Sequence, residues 1–136
     1  LPSSAEVTAD VPCLIPSSYI PQEAIRITLY RRLLRLESPA ELRSLEREVE
    51  DRFGPPPESL KNLISVSLLR SAGGKYGIVS VECDRKKTAL RGEGPLFGEL
   101  GRKKFWIPSE GMVTGPGGSK GLEDVLHALR HGKRVQ

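Results

Sequence analysis

Residues 38–60, SPAELRSLEREVEDRFGPPPESL, specify one helix together with both of its ends. Ser38 can cap the helix, Pro39 suits its first position, and Glu41 stands where a capping box needs a carboxylate. The apolar residues recur at spacings of three and four and form a single seam: Leu42, Leu45, Val49 and Phe53. Gly54 is the predicted left-handed stop, and the three prolines after it forbid continuation.

The opposite face of this helix is charged, with arginines between its acidic residues: Glu46, Glu48, Glu50 and Asp51. Glu48 and Asp51 are three residues apart and therefore project from the same side of the helix. Acid–base catalysis by such a pair needs a pocket that raises one pKa, which a surface helix flanked by arginines does not supply. Two interpretations remain, a solvated face with internal ion pairs or a contact site for arginines of a partner.

The composition is that of one ordinary domain with a core built mainly from Leu, Ile and Val. The chain has 136 residues, of which 28% are charged and 5% aromatic. No apolar run approaches the roughly 20 residues of a membrane-spanning helix, and the start lacks the pattern of a secretory signal. Cys13 and Cys83 are too few for a disulfide framework, suit a reducing cytosol and are expected in the core. Because the chain begins at Leu1 and its one methionine is Met112, we expect a piece of a longer protein.

We expect residues 1–10 to be a linker remnant and residues 11–136 to form a single domain. The helical part, residues 11–74, has three predicted helices with short connections: 21–36, 38–53 and 57–72. The first of these has an unusually wide apolar arc, which predicts packing on two sides. That arc combines two groups of residues: Ile25, Leu29, Leu33 and Leu36, then Ile27, Tyr30 and Leu34.

The second part, residues 75–136, is predicted to be a small antiparallel sheet followed by one helix. Its strand candidates alternate or are rich in β-branched residues: 76–83, 87–91, 104–107 and 111–114. Prolines and glycines break up the region between residues 95 and 108, and Ser119 is the expected cap of the last helix. Helices first and a sheet later indicate the α+β class.

Two further motifs suggest ligands but have simpler explanations. Gly115–Gly121 (GPGGSKG) opens a helix as a phosphate-binding loop does, yet it lacks the required spacing to a lysine, so we interpret it as a flexible turn with a helix cap. His127 and His131 have the spacing of a two-histidine metal face, but no third ligand is evident and histidines are favoured near a helix C-terminus anyway. We therefore predict no metal site.

Three basic clusters leave a nucleic-acid-binding module as an alternative function: 85–87, 102–104 and 133–134. Phe105 and Trp106 beside the second cluster give the aromatic-plus-basic texture of single-strand binders. One aromatic pair is not a platform, however, and we expect Trp106 in the core. The net charge of +4 permits such contacts without arguing strongly for them.

Four segments resemble one known family. They are IPSSYIP (15–21), LYRRL (29–33), ELRSLEREVEDRFGPPPE (41–58) and KNLI (61–64). Together they resemble the C-terminal domain of bacterial transcription-repair coupling factors over roughly residues 11–72, and no site is carried over beyond residue 86.

This resemblance implies a regulatory domain of a cytoplasmic bacterial protein, not an enzyme by itself. The parent would be an ATP-driven double-stranded DNA translocase that displaces stalled RNA polymerase and recruits the excision-repair protein UvrA. Its ATP and Mg sites lie in motor domains, so this fragment needs no cofactor. The domain would pack on the UvrB-like module of the same chain and mask its UvrA-binding surface, without contact to a membrane.

The resemblance also assigns roles to residues of the opening stretch. Glu48 and Asp51 become candidates for contacting arginines on the UvrB-like module, because the family pattern is acidic at both positions. Asp51 could equally pair with Arg52 or cap nearby backbone. Phe53, Gly54 and Pro57 are assigned structural roles, as a core anchor, a helix stop and a helix start.

Overall fold

The structure, a computed structural model, describes residues 3–135. The helices in this range are α1 (Glu23–Leu33), α2 (Pro39–Phe53), α3 (Glu58–Ala72), α4 (Pro95–Gly101) and α5 (Gly118–His131). The strands are β1 (Glu6–Ala9), β2 (Ile78–Cys83), β3 (Lys87–Gly92), β4 (Ile107–Ser109) and β5 (Met112–Pro116). A short 3-10 helix, Gly73–Tyr76, connects α3 to β2. This confirms the predicted α+β class.

The strands form one mixed sheet in the order β1-β2-β3-β5-β4. β1 pairs in parallel with β2, so that Val7 lies opposite Val81, and every other pairing is antiparallel. A register shift between Ile78 and Ser80 changes the phase of the pleat. As a result Ile78 and Val81 are both buried, whereas Val79 is exposed.

One hydrophobic core joins the helices to a single face of the sheet. α5 packs its apolar residues on the sheet and on α3, and these side chains are buried: Leu122, Val125, Leu126 and Leu129. α3 touches α1, α2 and α5, which explains why polar side chains on it are also buried. Asn62 satisfies its amide there by donating to the Pro12 carbonyl at 3.1 Å and accepting from the Ser119 hydroxyl at 2.9 Å.

The expectation that residues 1–10 are a linker remnant is wrong at Glu6–Ala9, which form an edge strand. Pairing with Ser80–Cys83 satisfies the backbone groups on one edge of this segment, and Val7 is buried in the core. The predicted antiparallel sheet within residues 75–136 is confirmed for β2, β3, β5 and β4, and β1 adds a parallel strand at its edge. Parallel pairing needs a long crossover, and here the three helices between β1 and β2 supply it.

The glycine-containing stretch after β3 was expected to be irregular but forms α4. Gly94 precedes the helix with φ of 127°, and Pro95 occupies its first turn. Leu96 and Leu100, one helical turn apart, are completely buried. Burial of these two leucines outweighs the low helix propensity of the glycines in this segment.

The helical unit matches the prediction with shorter ends and one correction. α1 spans Glu23–Leu33 instead of 21–36, and α3 begins at Glu58 instead of Pro57. Two-sided packing of α1 is wrong within the described part of the chain, because Ile27, Tyr30 and Leu34 remain exposed.

Two details of the second half also differ from expectation. The strand expected at 104–107 is Ile107–Ser109, preceded by a turn. Ser119 does not cap α5, whose N-cap is Gly117. The Ser119 hydroxyl instead donates to the side chains of Glu58 and Asn62, and so ties α5 to α3.

Candidate partner-binding face of helix α2

The N-terminus of α2 is fixed by its own side chains, as predicted. The Ser38 hydroxyl accepts from the Glu41 N–H at 3.2 Å, and Pro39 occupies the first turn. The Glu41 carboxylate accepts from the N–H of Glu37 at 2.8 Å, one residue before the position that a capping box predicts. The first bond satisfies an amide that the helix itself leaves unpaired, and the second holds the residue before the N-cap.

Gly54 ends α2, as predicted, but its backbone conformation differs from the predicted left-handed one. Gly54 has φ of 90° and ψ of −176°, an extended region that is open essentially only to glycine. The Tyr19 hydroxyl donates to the Gly54 carbonyl at 2.5 Å, and the Phe53 ring lies 6.0 Å from the Tyr19 ring. Phe53 is half-buried against the core, and Pro57 is the N-cap of α3.

The rotation of α2 about its axis is set by three buried side chains, Leu42, Leu45 and Val49. At 3.6 residues per turn, Asp51 lies about 155° away from this seam and Glu48 about 95° away, on the flank beside α1. Both residues are exposed. The structure therefore places both predicted contact residues on the outer surface of α2, which we call the α2 acidic face (Glu48 and Asp51).

Glu48 is held by an arginine of the neighbouring helix. The Arg32 guanidinium donates to Glu48 Oε2 at 2.5 Å, with 47% and 44% of the two side chains exposed. This hydrogen bond, more than the nearby charges of Arg32 and Arg52, lowers the pKa of the Glu48 carboxyl. Because Arg32 uses one carboxylate oxygen, Oε1 remains available to a second donor.

Asp51 differs from Glu48 in having no partner. Within residues 3–135 its carboxylate makes no salt bridge and no side-chain hydrogen bond. The expected alternative, a pair with Arg52, is not formed because the Arg52 guanidinium lies over the Phe53 ring, 4.9 Å from its centroid. The acidic face thus presents one positioned carboxylate and one unpaired carboxylate.

Glu46 belongs to a different surface of the helix. It is half-buried and pairs with Arg130 of α5 at 3.4 Å. Burial raises the pKa of the Glu46 carboxyl, while the charges of Arg130 and Lys61 oppose that rise. This pair ties α2 to the last helix and takes no part in the α2 acidic face.

The surroundings of Glu48 do not suit acid–base catalysis. Glu48 edges a cavity of about 40 Å³ between α1 and α2, which is close to the volume of one water. The pKa of its carboxyl is lowered, whereas a catalytic carboxylic acid needs a raised one. The arrangement instead suits recognition of a cationic group by two carboxylates.

The glycine run before α5 serves close packing. A Cβ added at Gly121 would lie 1.9 Å from the Pro116 carbonyl oxygen and 2.3 Å from Thr88 Oγ1. One added at Gly117 would lie 2.4 Å from both the Asp84 carbonyl oxygen and the Lys87 nitrogen. The run is therefore a tightly packed crossing between β5 and α5, and the predicted flexible turn is wrong.

The two histidines lie together on α5, with ring centroids 4.7 Å apart. The Lys103 ammonium lies 3.2 Å from His127 Nδ1. No group of three or more potential metal ligands occurs within residues 3–135. No described helix is long and apolar enough to cross a membrane.

Arg32 positions Glu48, Tyr19 holds the C-terminal end of α2, and neither contact was predicted from the sequence. Arg32 is one of three arginines in α1, and its residue type alone does not identify a partner. Tyr19 lies in the IPSSYIP segment, 35 residues before the glycine whose carbonyl it binds. Neither contact has a local sequence signal, because each depends on how separate segments pack.

Comparisons of this chain with known proteins all indicate the same family. The model of the TRCF domain family matches residues 9–94. The transcription-repair-coupling factor of Haemophilus influenzae is 35% identical over 78 residues, and that of Escherichia coli 32% over 81 residues. These matches cover 57% and 60% of this chain but 7% of each relative, so the chain is similar to a small part of those proteins.

A solved structure extends the likeness of the fold beyond the family match. It is the crystal structure of the C-terminal domain of transcription-repair coupling factor, with a TM-score of 0.63 and 16% identity. The superposition covers 96% of this chain and 98% of that one. The fold is therefore shared over nearly the whole chain, including β4, β5 and α5, which lie beyond residue 94.

Proposed function

The chain belongs to the TRCF domain family, and from that premise we propose that it is a regulatory domain which docks on a UvrB-like module of the same protein. In this proposal Glu48 and Asp51 contact arginines of that module. Docking covers the module's UvrA-binding surface and restrains the parent until it engages RNA polymerase. The observation that carries the proposal is the exposed, unpaired Asp51 beside a Glu48 that Arg32 already positions.

The two carboxylates suit a partner that presents guanidinium groups. Arginine offers several N–H donors in a planar fork that matches a carboxylate. Arg32 fixes the position of Glu48, which reduces the side-chain entropy lost on docking. Asp51 adds a negative charge that forms no salt bridge within the described residues.

A charged face also suits a contact that must later be released. Ion pairs at an interface contribute more to specificity and association rate than to affinity. An autoinhibitory contact should have a net coupling free energy of about 1–3 kcal/mol, so that another ligand can overcome it. Two partly exposed ion pairs, at about 0.2–1 kcal/mol each, reach the lower part of that range.

In this proposal, other domains of the parent protein carry out its DNA-translocating activity. The transcription-repair-coupling factors similar to this chain are many times longer than the segment that matches. DNA translocation, ATP and Mg binding, and contacts to RNA polymerase and double-stranded DNA are therefore proposed for the rest of the parent. The chain itself contributes the docking surface.

A competition experiment tests the masking step. Purified UvrB-like module is immobilised, and capture of UvrA is measured with increasing concentrations of the 136-residue chain. We expect the chain to lower UvrA capture and Glu48→Lys/Asp51→Lys to have no such effect. Undiminished UvrA capture at chain concentrations that saturate the module would contradict masking.

A further inference from the structure

Phe105 adopts a strained conformation and projects into solvent. It has φ of 72° and is the one non-glycine residue with positive φ within residues 3–135. Its side chain is 70% exposed, so no burial within the chain offsets the strain. A left-handed conformation costs a residue with a side chain about 1–2 kcal/mol.

The neighbouring Trp106 explains what holds this conformation. Trp106 is 4% exposed, and its indole N–H donates to Asp124 Oδ2 at 2.8 Å. The indole also covers Gly115 so closely that an added Cβ would lie 2.2 Å from its ring. With Trp106 fixed inward, the ring of Phe105 is presented outward from a rigid support.

One lysine contacts the exposed ring, and two further cations precede it in the sequence. The Lys104 ammonium lies 5.1 Å from the Phe105 ring centroid. Arg102, Lys103 and Lys104 make no salt bridge in the part of the chain that the structure describes. Lys103 also lines a groove of about 450 Å³ beside α5.

This groove carries more positive than negative side chains. Its charged lining residues are Lys61, Lys103, Lys120, Arg130, Glu46, Glu123 and Asp124, with His127 beside Lys103. Two of the three carboxylates are already engaged, Asp124 by Trp106 and Lys120, and Glu46 by Arg130. Lys61 and Lys103 form no salt bridge within the described residues, although their charges act on Glu46 and Asp124, so both ammonium groups can still contact a bound anion.

We propose that Phe105 and the basic residues that precede it bind single-stranded nucleic acid. One unpaired base stacks on the open face of Phe105, and the adjoining phosphates contact Lys103, Lys104 and the groove. An exposed aromatic ring beside unpaired cations matches the two features of such a ligand, a π face and a phosphate on each nucleotide. Duplex does not offer a free base face, so the site favours single strands.

The site is separate from the α2 acidic face, and its test is independent of the docking proposal. Fluorescence anisotropy of a labelled 12-nucleotide oligothymidylate is measured against the 136-residue chain, with duplex of equal length for comparison. We expect the logarithm of the association constant to fall linearly with log[salt], with a slope of about −2. Three phosphate contacts on a single strand imply this slope. Phe105→Tyr should retain the affinity, and Phe105→Asn should weaken it about 5- to 150-fold, the range measured for one stacked base.

Phe105→Asn separates binding from folding. Asparagine tolerates positive φ better than phenylalanine, so this variant should be at least as stable as the wild-type chain while it binds less. Lys103→Ala/Lys104→Ala should also weaken binding. The matched change in another basic cluster, Arg85→Ala/Lys86→Ala, should have a smaller effect.

Three results would overturn the proposal. The first is equal affinity of Phe105→Asn and wild type, which would leave only nonspecific attraction. The second is a preference for duplex, and the third is displacement of the oligonucleotide by polyglutamate at equal charge. The third result would assign the site to an acidic protein partner.

Discussion

Arg32 of α1 and Glu48 of α2 form an ion pair of 2.5 Å across the two helices. The pair orients a carboxylate that the docking proposal assigns to a partner, and it keeps that carboxylate ionised by lowering its pKa. Asp51, one turn further along α2, has no comparable restraint. The helix pair α1–α2 therefore acts as the scaffold of the acidic face.

Arg32→Ala should cost little stability, about 0.2–1 kcal/mol, because both side chains are partly exposed and screened. The pKa of Glu48 is depressed in the folded chain, so its contribution is present above the unfolded value of about 4.3 and is lost as pH falls through the folded pKa. Urea unfolding of both proteins at pH 7 and pH 3 measures the difference. A deficit in Arg32→Ala that is as large at pH 3 as at pH 7 would contradict an ion-pair origin.

Asp124→Ala should destabilise the chain by about 1–3 kcal/mol, because the buried indole N–H of Trp106 loses its acceptor. Asp124→Asn should cost less, since its amide oxygen can still accept from Trp106. The chain has a single tryptophan, so urea unfolding monitored by fluorescence reports on this position directly. Equal stability of Asp124→Ala and wild type would show that the Trp106 bond contributes nothing.

The same carboxylate predicts acid sensitivity. Burial raises the pKa of Asp124, but the bonds from Trp106 and Lys120 outweigh burial and hold the pKa below its usual range. The resulting stability is present above the unfolded value of about 3.9 and is lost as pH falls through the folded pKa. Asp124→Asn should therefore show a shallower decline of unfolding free energy below pH 5 than wild type, and an equally steep decline would refute this origin.

Gly54→Ala should destabilise the chain by about 1–3 kcal/mol through backbone strain alone. Gly54 has φ of 90°, while nothing lies within 4 Å of an added Cβ. Gly98→Ala is the matched control, because Gly98 lies within α4 and its added Cβ meets only Arg102 Nη1 at 3.7 Å. That control should stabilise the chain by about 0.5–1 kcal/mol. Urea midpoints that change in the same direction for both variants would contradict the account.

Gly121→Ala should be severely destabilising, by about 3 kcal/mol or more, because the new methyl group would overlap the Pro116 carbonyl and the Thr88 hydroxyl. Circular dichroism and urea unfolding measure the loss, again with Gly98→Ala as the control. A Gly121→Ala chain as stable as wild type would mean that β5 and α5 do not cross closely.

Local signals in the sequence were sufficient for α2 and its ends. Ser38, Pro39 and Gly54 act through atoms within a few residues of themselves, and the seam of Leu42 and its neighbours repeats along one helix. The finer geometry was harder to predict. The Glu41 carboxylate accepts from the N–H of Glu37, and Gly54 has an extended ψ. Both features depend on the direction in which the chain enters and leaves the helix.

Features that depend on distant partners were not predictable from the sequence. β1 has the composition of a polar linker, and its strand forms only because β2 presents a free edge some 70 residues later. α4 contains glycines, and burial of Leu96 and Leu100 decides its structure. The Arg32–Glu48 pair likewise follows from the packing of α1 on α2.

The aromatic pair at 105–106 shows the same limit. Sequence reasoning placed Trp106 in the core, which the structure confirms. It did not predict that Phe105 would be turned outward at positive φ. That outcome depends on Asp124 and Gly115, which hold the indole from α5 and β5.

The central claim is tested most directly by calorimetric titration of the chain into the separately purified UvrB-like module at 50 and 200 mM NaCl. Glu48→Lys/Asp51→Lys is compared with Glu93→Lys/Glu110→Lys, a control with the same change in net charge at exposed sites off α2. We predict salt-sensitive binding that the α2 reversal weakens at least tenfold and that the control retains. Equal binding by the wild type and the α2 reversal would contradict docking through the α2 acidic face.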